Sequence, residues 1–235
     1  VLFEPPAPDE SALPKNALAV PGLKQKQAQI ASRFLNEPSK AVKMIGVTGT
    51  NGKTSTVQLI AEAYSLLEKT AGTIGTLGVG IYGQLQAGER TTPDVIAVHQ
   101  AIAAMRDNGA QVIAMEVSSH ALDQGRVDAV CFDTVLFTNL TLDHLDYHGS
   151  MQDYFAAKAK LFSWPGLSHA VINVDDAYGE QLFDQLSGRL PSIAVSSHQH
   201  GKASLHADEV SLSLSGMRFN LVFAGEQAPV VSPLL

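Results

Sequence analysis

Strand-like and helix-like segments alternate from Val42 to about residue 196, and this alternation constrains the fold more than any other feature of the sequence. The apolar run "VKMIGVTG" is typical of a buried strand, whereas "KTSTVQLIAEAYSLLEK" places its apolar residues at helical spacing. Further strands, "QVIAMEVSS", "FDTVLFTNL" and "HAVINVDD", occur among helical patterns. Strands joined through helices pair in parallel. The sequence therefore predicts an α/β fold with a mainly parallel sheet flanked by helices.

The two ends of the chain have different patterns. Residues 1–38 are first proline-rich and then helical in "KQKQAQIASRFL", and we interpret them as the end of a preceding domain plus a linker. Residues 39–235 then form one central domain. From residue 201 onwards polar and apolar positions alternate, as in "SLHADEVSLSLSGMRFNLVF". This pattern predicts antiparallel hairpins at the edge of the sheet.

The charge balance argues against a nucleic-acid partner. Sixteen basic against 23 acidic residues give a formal net charge of −7. Binding along a nucleic-acid backbone requires a broad basic surface, which this composition does not favour. A polyanionic ligand would have to be held locally, by loop amides, one or two cations and a metal ion.

The sequence predicts a cytoplasmic protein. Its single cysteine, Cys131, excludes an internal disulfide and is expected to be a small buried apolar residue. No apolar run approaches the roughly 20 residues of a membrane span. The acidic, proline-rich start "VLFEPPAPDE" does not resemble a signal peptide.

The segment "GTNGKT" lies between the first buried strand and its helix, which is the position of a phosphate-binding loop (P-loop). The full pattern G-x-x-x-x-G-K-[ST] is not met, because Val47 occupies the position of its first glycine. Gly49 and Gly52 allow loop amides to face phosphate oxygens, and the helix N-terminus adds partial positive charge. Lys53 is expected to contact the terminal phosphates and Thr54 a Mg²⁺ ion. The alternative is a glycine-rich turn with a solvated lysine.

One lysine lies on the apolar face of the helix after Gly149. At about 100° per residue, Lys158 lies at the centre of a stripe of apolar residues, and Lys160 faces the opposite side of the helix. The stripe consists of Met151, Tyr154, Phe155, Leu161 and Phe162. A buried, unpaired ammonium is costly and tends to lose its proton. Lys158 could extend its charge to solvent, pair with a carboxylate, or add CO₂ to form a metal-binding carbamate, and the pattern leaves these three possibilities open.

Polar residues follow two further strands where a sheet edge would face a ligand. Glu116 ends a buried apolar strand, where a carboxylate is costly unless it meets a cation or a metal. The residues after it include Ser118, Ser119, His120, Gln124 and Arg126, and the next strand is followed by Asp143, His144, Asp146 and His148. The two histidines four residues apart resemble a zinc pair, but the glutamate of H-E-x-x-H is missing, so zinc is not favoured.

Six motifs in order resemble the Mur ligases of peptidoglycan synthesis over roughly residues 40–235. They are "GVTGTNGKT", "TTPD", "MEVSSHALDQGRV", "NLTLDHLDYHG", "YFAAKAKLF" and "VINVDD". Within this family the motifs are most similar to the ligases that add the third amino acid of the peptide. The alternatives are another Mur ligase, a folylpolyglutamate-type ligase, and a nucleotide-binding module without ligase chemistry.

The resemblance implies an ATP-dependent acid–amino-acid ligase of cell-wall biogenesis. ATP would phosphorylate the D-glutamate carboxylate of UDP-N-acetylmuramoyl-L-alanyl-D-glutamate. The amine of meso-diaminopimelate would then attack the acyl phosphate. Whether the added amino acid is diaminopimelate or lysine is not encoded in these residues, and similarity to proteobacterial sequences favours diaminopimelate.

The resemblance also implies roles for individual residues. The ATP phosphates would be held by Gly49, Thr50, Asn51, Gly52, Lys53, Thr54 and Ser55. One Mg²⁺ would be bound by Thr54 and Glu116, and a second by Glu116, His144 and Lys158, the last as N6-carboxylysine. The catalytic side chains would be Lys53, Lys158 and His144. The UDP-muramoyl peptide would contact Thr91, Thr92, Ser118, Gln124 and Arg126.

The sequence departs from the family pattern in two respects. Arg90 precedes the threonine pair, where relatives often have Asn or Leu. Family members are also longer than this chain. Residues 1–38 would be the end of an N-terminal UDP-substrate domain plus linker, and residues 39–235 the central ATP-binding domain. Because the amino-acid-binding domain would lie outside this chain, the 235 residues alone are expected to bind ATP weakly and not to ligate.

Overall fold

The computed structural model describes residues 1–7, 10–88, 90–198 and 200–233. Residues 8 and 9 of the proline-rich start therefore lie outside the described residues. The strands are β1 (Leu2–Phe3), β2 (Leu18–Ala19), β3 (Lys43–Thr48), β4 (Ala71–Gly75), β5 (Gly78–Ile81), β6 (Val112–Glu116), β7 (Thr134–Phe137), β8 (His169–Asn173), β9 (Ser192–Ser196), β10 (Leu205–Ser213), β11 (Gly216–Phe223) and β12 (Glu226–Ser232). The α-helices are α1 (Leu23–Phe34), α2 (Lys53–Leu66), α3 (Val95–Asp107), α4 (Ser119–Asp123), α5 (Leu145–His148), α6 (Met151–Ala159) and α7 (Ala177–Leu186).

Within the described residues, the main sheet has the strand order β12-β11-β10-β9-β8-β7-β3-β6-β4-β5. Neighbours from β10 to β4 pair in parallel. Strand β5 pairs antiparallel with β4, and β11 and β12 add antiparallel hairpins at the other end. The predicted α/β fold with antiparallel strands near the C-terminus is confirmed.

Helices cover both faces of the central strands. Adjacent residues of β3 point to opposite faces, and Met44 and Ile45 accordingly belong to different apolar clusters. Ala61 of α2 packs in the cluster of Ile45, whereas Ile102 of α3 and Phe155 of α6 pack in the cluster of Met44. This two-sided cover explains why β3, β4 and β6 are nearly continuous apolar runs.

The strand order brings three strand ends to one place. Strand β3 lies between β6 and β7, and Val47 of β3 is in register with Glu116 of β6 and Leu136 of β7. Because the three strands are parallel, their carboxyl ends meet at the same edge of the sheet. The loop after each of them therefore contributes to one site.

Several details differ from the sequence-based expectations. The short helices α4 and α5 were not predicted, since four or five residues are too few for a periodic signal. The helix predicted after Gly149 is α-helical only to Ala159 and continues as a 3₁₀ turn over Lys160–Ser163. Cys131 is half-buried rather than fully buried.

Helix α1 contacts α3, and the Arg106 guanidinium donates a hydrogen bond to the Leu35 carbonyl at 2.9 Å. The proposed boundary between residues 38 and 39 stays a prediction. In the part of the chain that the structure describes, no helix is both long and apolar enough to cross a membrane.

Candidate nucleotide and metal site

The glycine loop after β3 is short and leads directly into α2, whose N-terminus has no side-chain cap. Val47, at the position of the missing first glycine, lies within β3, so the loop is confined to Gly49–Gly52. Gly49 has φ 146°, and a Cβ there would lie 1.9 Å from Thr138 Oγ1, so only glycine fits. Gly52, at φ 82°, is the N-cap of α2 and makes no side-chain cap bond. The first amides of α2 therefore have no side-chain cap and are suited to bind phosphate.

Two lysines from distant parts of the sequence converge on this loop. Lys53 donates hydrogen bonds to the carbonyls of Gly49, at 3.0 Å, and Thr50, at 2.8 Å. Lys158 donates to the same Gly49 carbonyl at 2.8 Å and lies 4.4 Å from the centroid of the Tyr154 ring. Lys158 is 1% exposed, which confirms its predicted place on the buried face of the helix.

Neither contact with solvent nor a carboxylate partner offsets the cost of burying the Lys158 ammonium. Its ammonium does not extend to solvent, and among the described residues its hydrogen-bond acceptor is a carbonyl rather than a carboxylate. Burial, reinforced by the Lys53 ammonium, lowers the pKa of Lys158 to about 7, although Asp143 opposes this shift. Burial also lowers the pKa of Lys53, against the opposing charges of Glu116 and Asp143.

Glu116 is held in place by three hydrogen bonds. It is 1% exposed at the end of β6, and its Oε2 accepts from the Thr54 hydroxyl at 2.9 Å. The Thr76 amide donates to Oε1 at 2.7 Å, and the Thr76 hydroxyl donates to Oε2 at 3.3 Å. These donors offset the cost of burying the carboxylate. Sequence reasoning missed Thr76, because only the pairing of β4 with β6 brings it to Glu116.

Gly75 makes this approach possible. A Cβ at residue 75 would lie 2.2 Å from Oε1 of Glu116 and 2.9 Å from its Cδ and Cγ. The glycine-rich segment "TAGTIGTLG" contained this signal, since a glycine inside a strand often marks the close approach of another group.

The residues at this point fit Mg²⁺. No group of three His, Cys, Asp or Glu side chains that could hold a metal occurs among the described residues. Mg²⁺, however, keeps several waters and usually takes one or two protein carboxylates with substrate phosphates. The adjacent hydroxyl of Thr54 and carboxylate of Glu116 are hard oxygen donors of the required kind, directly beside the phosphate loop.

His144 lies on the outer side of this cluster. It is at φ 51°, and its Nε2 is 3.3 Å from Asp143 Oδ2. Its ring contacts His120, at a centroid distance of 4.9 Å, and Tyr154, at 6.0 Å. In the described chain no hydrogen bond or ion pair joins His144 to Glu116 or Lys158. The Tyr154 ring contacts both the His144 ring and the Lys158 ammonium, and so it links these two residues indirectly.

A network of hydrogen bonds connects the five residues predicted to contact a muramoyl peptide to Glu116. The Thr92 hydroxyl donates to the Glu116 carbonyl at 2.9 Å, and the Arg126 guanidinium donates to the Thr92 carbonyl at 3.0 Å. Thr91 is hydrogen-bonded at 3.2 Å to Thr76, which itself bonds to Glu116. Ser118 is bonded to Thr92 at 3.4 Å, and Gln124 accepts from Arg126 at 2.9 Å. The structure thus brings this set together.

Arg90 also affects this group. Burial, followed by the like charge of Arg90, lowers the pKa of Arg126. The residue that departs from the family pattern therefore adds positive charge next to the predicted substrate contacts. Two cationic side chains suit a ligand that carries carboxylates or phosphates.

The fold and these contacts define an α/β domain of the P-loop type, with a short glycine turn, a buried lysine and a buried carboxylate that is hydrogen-bonded to Thr54 of α2. Residues 47–235 match the model of the Mur ligase middle domain, and the chain belongs to that family.

Similar proteins include a curated relative and two solved structures. The chain is 57% identical over 235 residues to the UDP-N-acetylmuramoyl-L-alanyl-D-glutamate--2,6-diaminopimelate ligase of Xanthomonas oryzae pv. oryzae, which covers 100% of this chain and 48% of that protein. A solved structure of a ligase of the same name superposes with a TM-score of 0.84 at 34% identity, covering 97% of this chain and 47% of the other.

The second solved structure shows likeness in fold alone. The folylpolyglutamate synthase of Mycobacterium tuberculosis, complexed with ADP and AMPPCP, superposes with a TM-score of 0.64 at 15% identity, covering 83% of this chain and 51% of the other. The chain spans about half the length of the curated relative and of both solved structures.

Proposed function

We propose that the protein containing this chain is an ATP-dependent ligase that adds meso-diaminopimelate to UDP-N-acetylmuramoyl-L-alanyl-D-glutamate in peptidoglycan synthesis. The single observation that carries the proposal is the convergence of Lys53 and Lys158 on the Gly49 carbonyl, beside the Thr54–Glu116 pair. This arrangement combines a triphosphate cradle with a metal-binding carboxylate and a second buried amine, which a simple nucleotide switch does not need.

The loop would bind the triphosphate. The predicted contacts are Gly49, Thr50, Asn51, Gly52, Lys53, Thr54 and Ser55. Lys53 would move from the loop carbonyls to the terminal phosphates, which are stronger acceptors for an ammonium. Thr54 and Glu116 would hold a Mg²⁺ ion, which neutralises charge on the transferring phosphoryl group when it is bound.

The reaction would proceed in two transfers. A carboxylate oxygen of D-glutamate attacks the γ-phosphorus of ATP, and ADP leaves, which gives an acyl phosphate. The neutral amine of the incoming amino acid then attacks the acyl carbon, the C–O bond to phosphate breaks, and the amide forms as phosphate leaves and the nitrogen loses a proton. The chain's contribution is to bring two anions together and to offset their repulsion with Lys53 and Arg126.

Lys158 would act as N6-carboxylysine. Its low pKa makes the neutral amine available near pH 7, and that amine adds CO₂ to give a carbamate and a proton. The carbamate nitrogen keeps one N–H, so the bond to the Gly49 carbonyl can persist. Exchange of a buried cation for an anion would also place a negative charge beside Lys53. His144, Glu116 and this carbamate would form the second Mg²⁺ site.

Thr91, Thr92, Ser118, Gln124 and Arg126 would contact the UDP-muramoyl peptide. Their support is the hydrogen-bonded network that joins them to Glu116. Residues 1–38 would belong to the end of a UDP-substrate domain plus its linker, residues 39–235 to the ATP-binding domain, and the pocket for diaminopimelate to a further domain. In that arrangement these 235 residues alone form no tripeptide. The location would be the cytoplasm, where ATP is available.

Assay of the full-length protein with ATP, Mg²⁺ and UDP-N-acetylmuramoyl-L-alanyl-D-glutamate tests the proposal. Tripeptide formation and ADP release are expected with meso-diaminopimelate and not with D-alanyl-D-alanine. Tripeptide formation with L-lysine in its place would identify a different member of the family. A folylpolyglutamate-type ligase would instead extend a folate with glutamate. Nucleotide hydrolysis that is independent of every acceptor amine would favour a nucleotide-binding module without ligase chemistry.

A further inference from the structure

The loop between β7 and α5 is built against the phosphate loop. The Asn139 carbonyl accepts a hydrogen bond from the Thr50 amide at 2.8 Å. The Thr138 hydroxyl donates to the Asn51 carbonyl at 2.7 Å, and the Thr141 amide donates to the Thr50 hydroxyl at 3.0 Å. We call residues 138–141 the bracing loop. Gly49 is the point of closest approach, because a Cβ there would overlap Thr138.

The side chain of Asn139, in the bracing loop, makes two hydrogen bonds to the backbone of Asn51. Its Oδ1 accepts from the Asn51 amide at 3.0 Å, and its Nδ2 donates to the Asn51 carbonyl at 3.2 Å. The side-chain amide thus binds the donor and the acceptor of one backbone residue, as a neighbouring strand would. Neither role assigned above, phosphate contact or metal binding, uses this side chain.

The orientation of Asn51 affects any anion bound to the loop. Its carbonyl oxygen is held by two donors, Asn139 Nδ2 and Thr138 Oγ1. Without them the peptide plane between Asn51 and Gly52 is free to rotate, since Gly52 tolerates many backbone conformations. A rotated carbonyl would turn its negative end towards the triphosphate and withdraw the Gly52 amide.

The bracing loop is itself anchored on the far side. The Leu140 amide donates to the Asp176 carboxylate at 2.5 Å, and Asn173 Nδ2 donates to the Thr138 carbonyl at 2.8 Å. Asp176 is also the N-cap of α7. The phosphate loop is therefore connected through the bracing loop to the end of β8 in the main sheet.

We propose that Asn139 is a positioning residue for nucleotide binding. It holds the Asn51 carbonyl away from the phosphates, and it thereby keeps the amides that follow Asn51 directed towards them. The inference rests on the proposed function insofar as it assumes that ATP is the ligand. It explains how the short loop, with Val47 in place of the first glycine, keeps a binding conformation. A neighbouring loop supplies the restraint.

Two variants of the full-length protein separate positioning from packing. Asn139→Ala removes both hydrogen bonds. Asn139→Asp fills the same space and keeps the acceptor for the Asn51 amide, but it places an oxygen opposite the Asn51 carbonyl. Positioning predicts that the KM for ATP rises about tenfold in Asn139→Ala and at least as much in Asn139→Asp, while kcat at saturating ATP changes less than about threefold. A packing role predicts that Asp is the milder change. Asn108→Ala is the matched control and should leave the KM unchanged, because this asparagine is exposed and its side chain donates to the Ala104 carbonyl at the end of α3.

Two further measurements do not depend on turnover. Calorimetric titration with AMPPCP and Mg²⁺ should show weaker binding by both Asn139 variants, with the control unchanged. Hydrogen exchange should show faster exchange of the amides of residues 50–52 in Asn139→Ala, with residues in α3 unaffected.

The outcomes distinguish this inference from the proposed function. A wild-type protein that binds AMPPCP but forms no tripeptide refutes the ligase function, and the AMPPCP affinities then decide the role of Asn139. Unchanged AMPPCP affinity and unchanged exchange in both variants overturn the inference even if the ligase is active. A wild-type protein that binds no AMPPCP overturns both. If Asn139→Ala does not fold, the Asp variant alone decides, through its affinity relative to wild type.

Discussion

The side chains of Lys53 and Lys158, 105 positions apart in the sequence, donate hydrogen bonds to one carbonyl oxygen, that of Gly49. Burial lowers the pKa of both ammonium groups, and for Lys158 the nearby charge of Lys53 adds to the effect. Lys158 is the more buried of the two, and its pKa is lowered to about 7. Near pH 7 a lysine with this pKa is partly present as the neutral amine.

Substitution of Lys158 should abolish turnover in a way that small acids can repair. In the full-length protein, Lys158→Ala is expected to lower kcat at least 100-fold, because a charge near the transferring phosphoryl group is lost. Added short carboxylic acids should restore part of the activity by occupying the space of the carbamate. Lys160→Ala, which removes an exposed lysine paired with Asp123, should remain near wild type. Full activity of Lys158→Ala without added acid would contradict the carbamate role.

The hydroxyl of Thr54 should matter more than its methyl group. Thr54→Val keeps the shape but removes the donor to Glu116 and the proposed Mg²⁺ ligand. We expect kcat/KM to fall about 100-fold and the Mg²⁺ concentration for half-maximal activity to rise. Thr54→Ser keeps the hydroxyl and should stay within about threefold of wild type. Equal effects of the two substitutions would exclude a role for the hydroxyl.

An added methyl group at Gly75 should displace Glu116. The Cβ would overlap the carboxylate, so the bond from the Thr76 amide is lost or the strand shifts. Gly75→Ala is expected to reduce Mg²⁺-dependent turnover at least tenfold and to lower the free energy of unfolding by about 1–3 kcal/mol. Gly201→Ala is the control, since its Cβ meets nothing within 4 Å. Wild-type turnover of Gly75→Ala would show that the position of Glu116 is not critical.

The buried His99 should make the protein sensitive to acid. It is 0% exposed, its Nε2 is 3.0 Å from the Asp128 carbonyl, and burial lowers the pKa of its imidazole below the ordinary 6.5. Between the folded pKa and 6.5 the unfolded chain binds a proton that the folded chain does not. The free energy of unfolding therefore falls as the pH falls through this window.

Denaturant unfolding at pH 7.5 and pH 5 measures this dependence. His99→Leu loses the hydrogen bond to Asp128 and should be less stable at pH 7.5 by about 1 kcal/mol. Its stability should nevertheless fall less than that of wild type between the two pH values. His169→Leu, at an exposed histidine, should keep the wild-type pH dependence. Parallel pH curves for His99→Leu and wild type would refute this assignment.

The sequence predicted those parts of the fold that depend on neighbouring residues. The strand, loop and helix around Gly49–Thr54 follow from local periodicity and from glycine's backbone freedom. The burial of Lys158 follows from helical geometry, and its position on the apolar face is confirmed. The hairpins near the C-terminus follow from period-two alternation. The short helices α4 and α5 escaped prediction because they are shorter than the period that would reveal them.

The sequence by itself determined the strand–loop–helix units, the family of the chain and the residues able to carry the chemistry, because these depend on residue type and short-range spacing. Only the tertiary structure decided that Lys53 and Lys158 share a carbonyl, that Thr76 holds Glu116, and that Asn139 holds Asn51. Each of these contacts joins residues that are distant in the sequence, and the order β7-β3-β6-β4 that brings them together is absent from any local pattern. The physical reason is that strand order depends on how the whole chain buries its apolar surface.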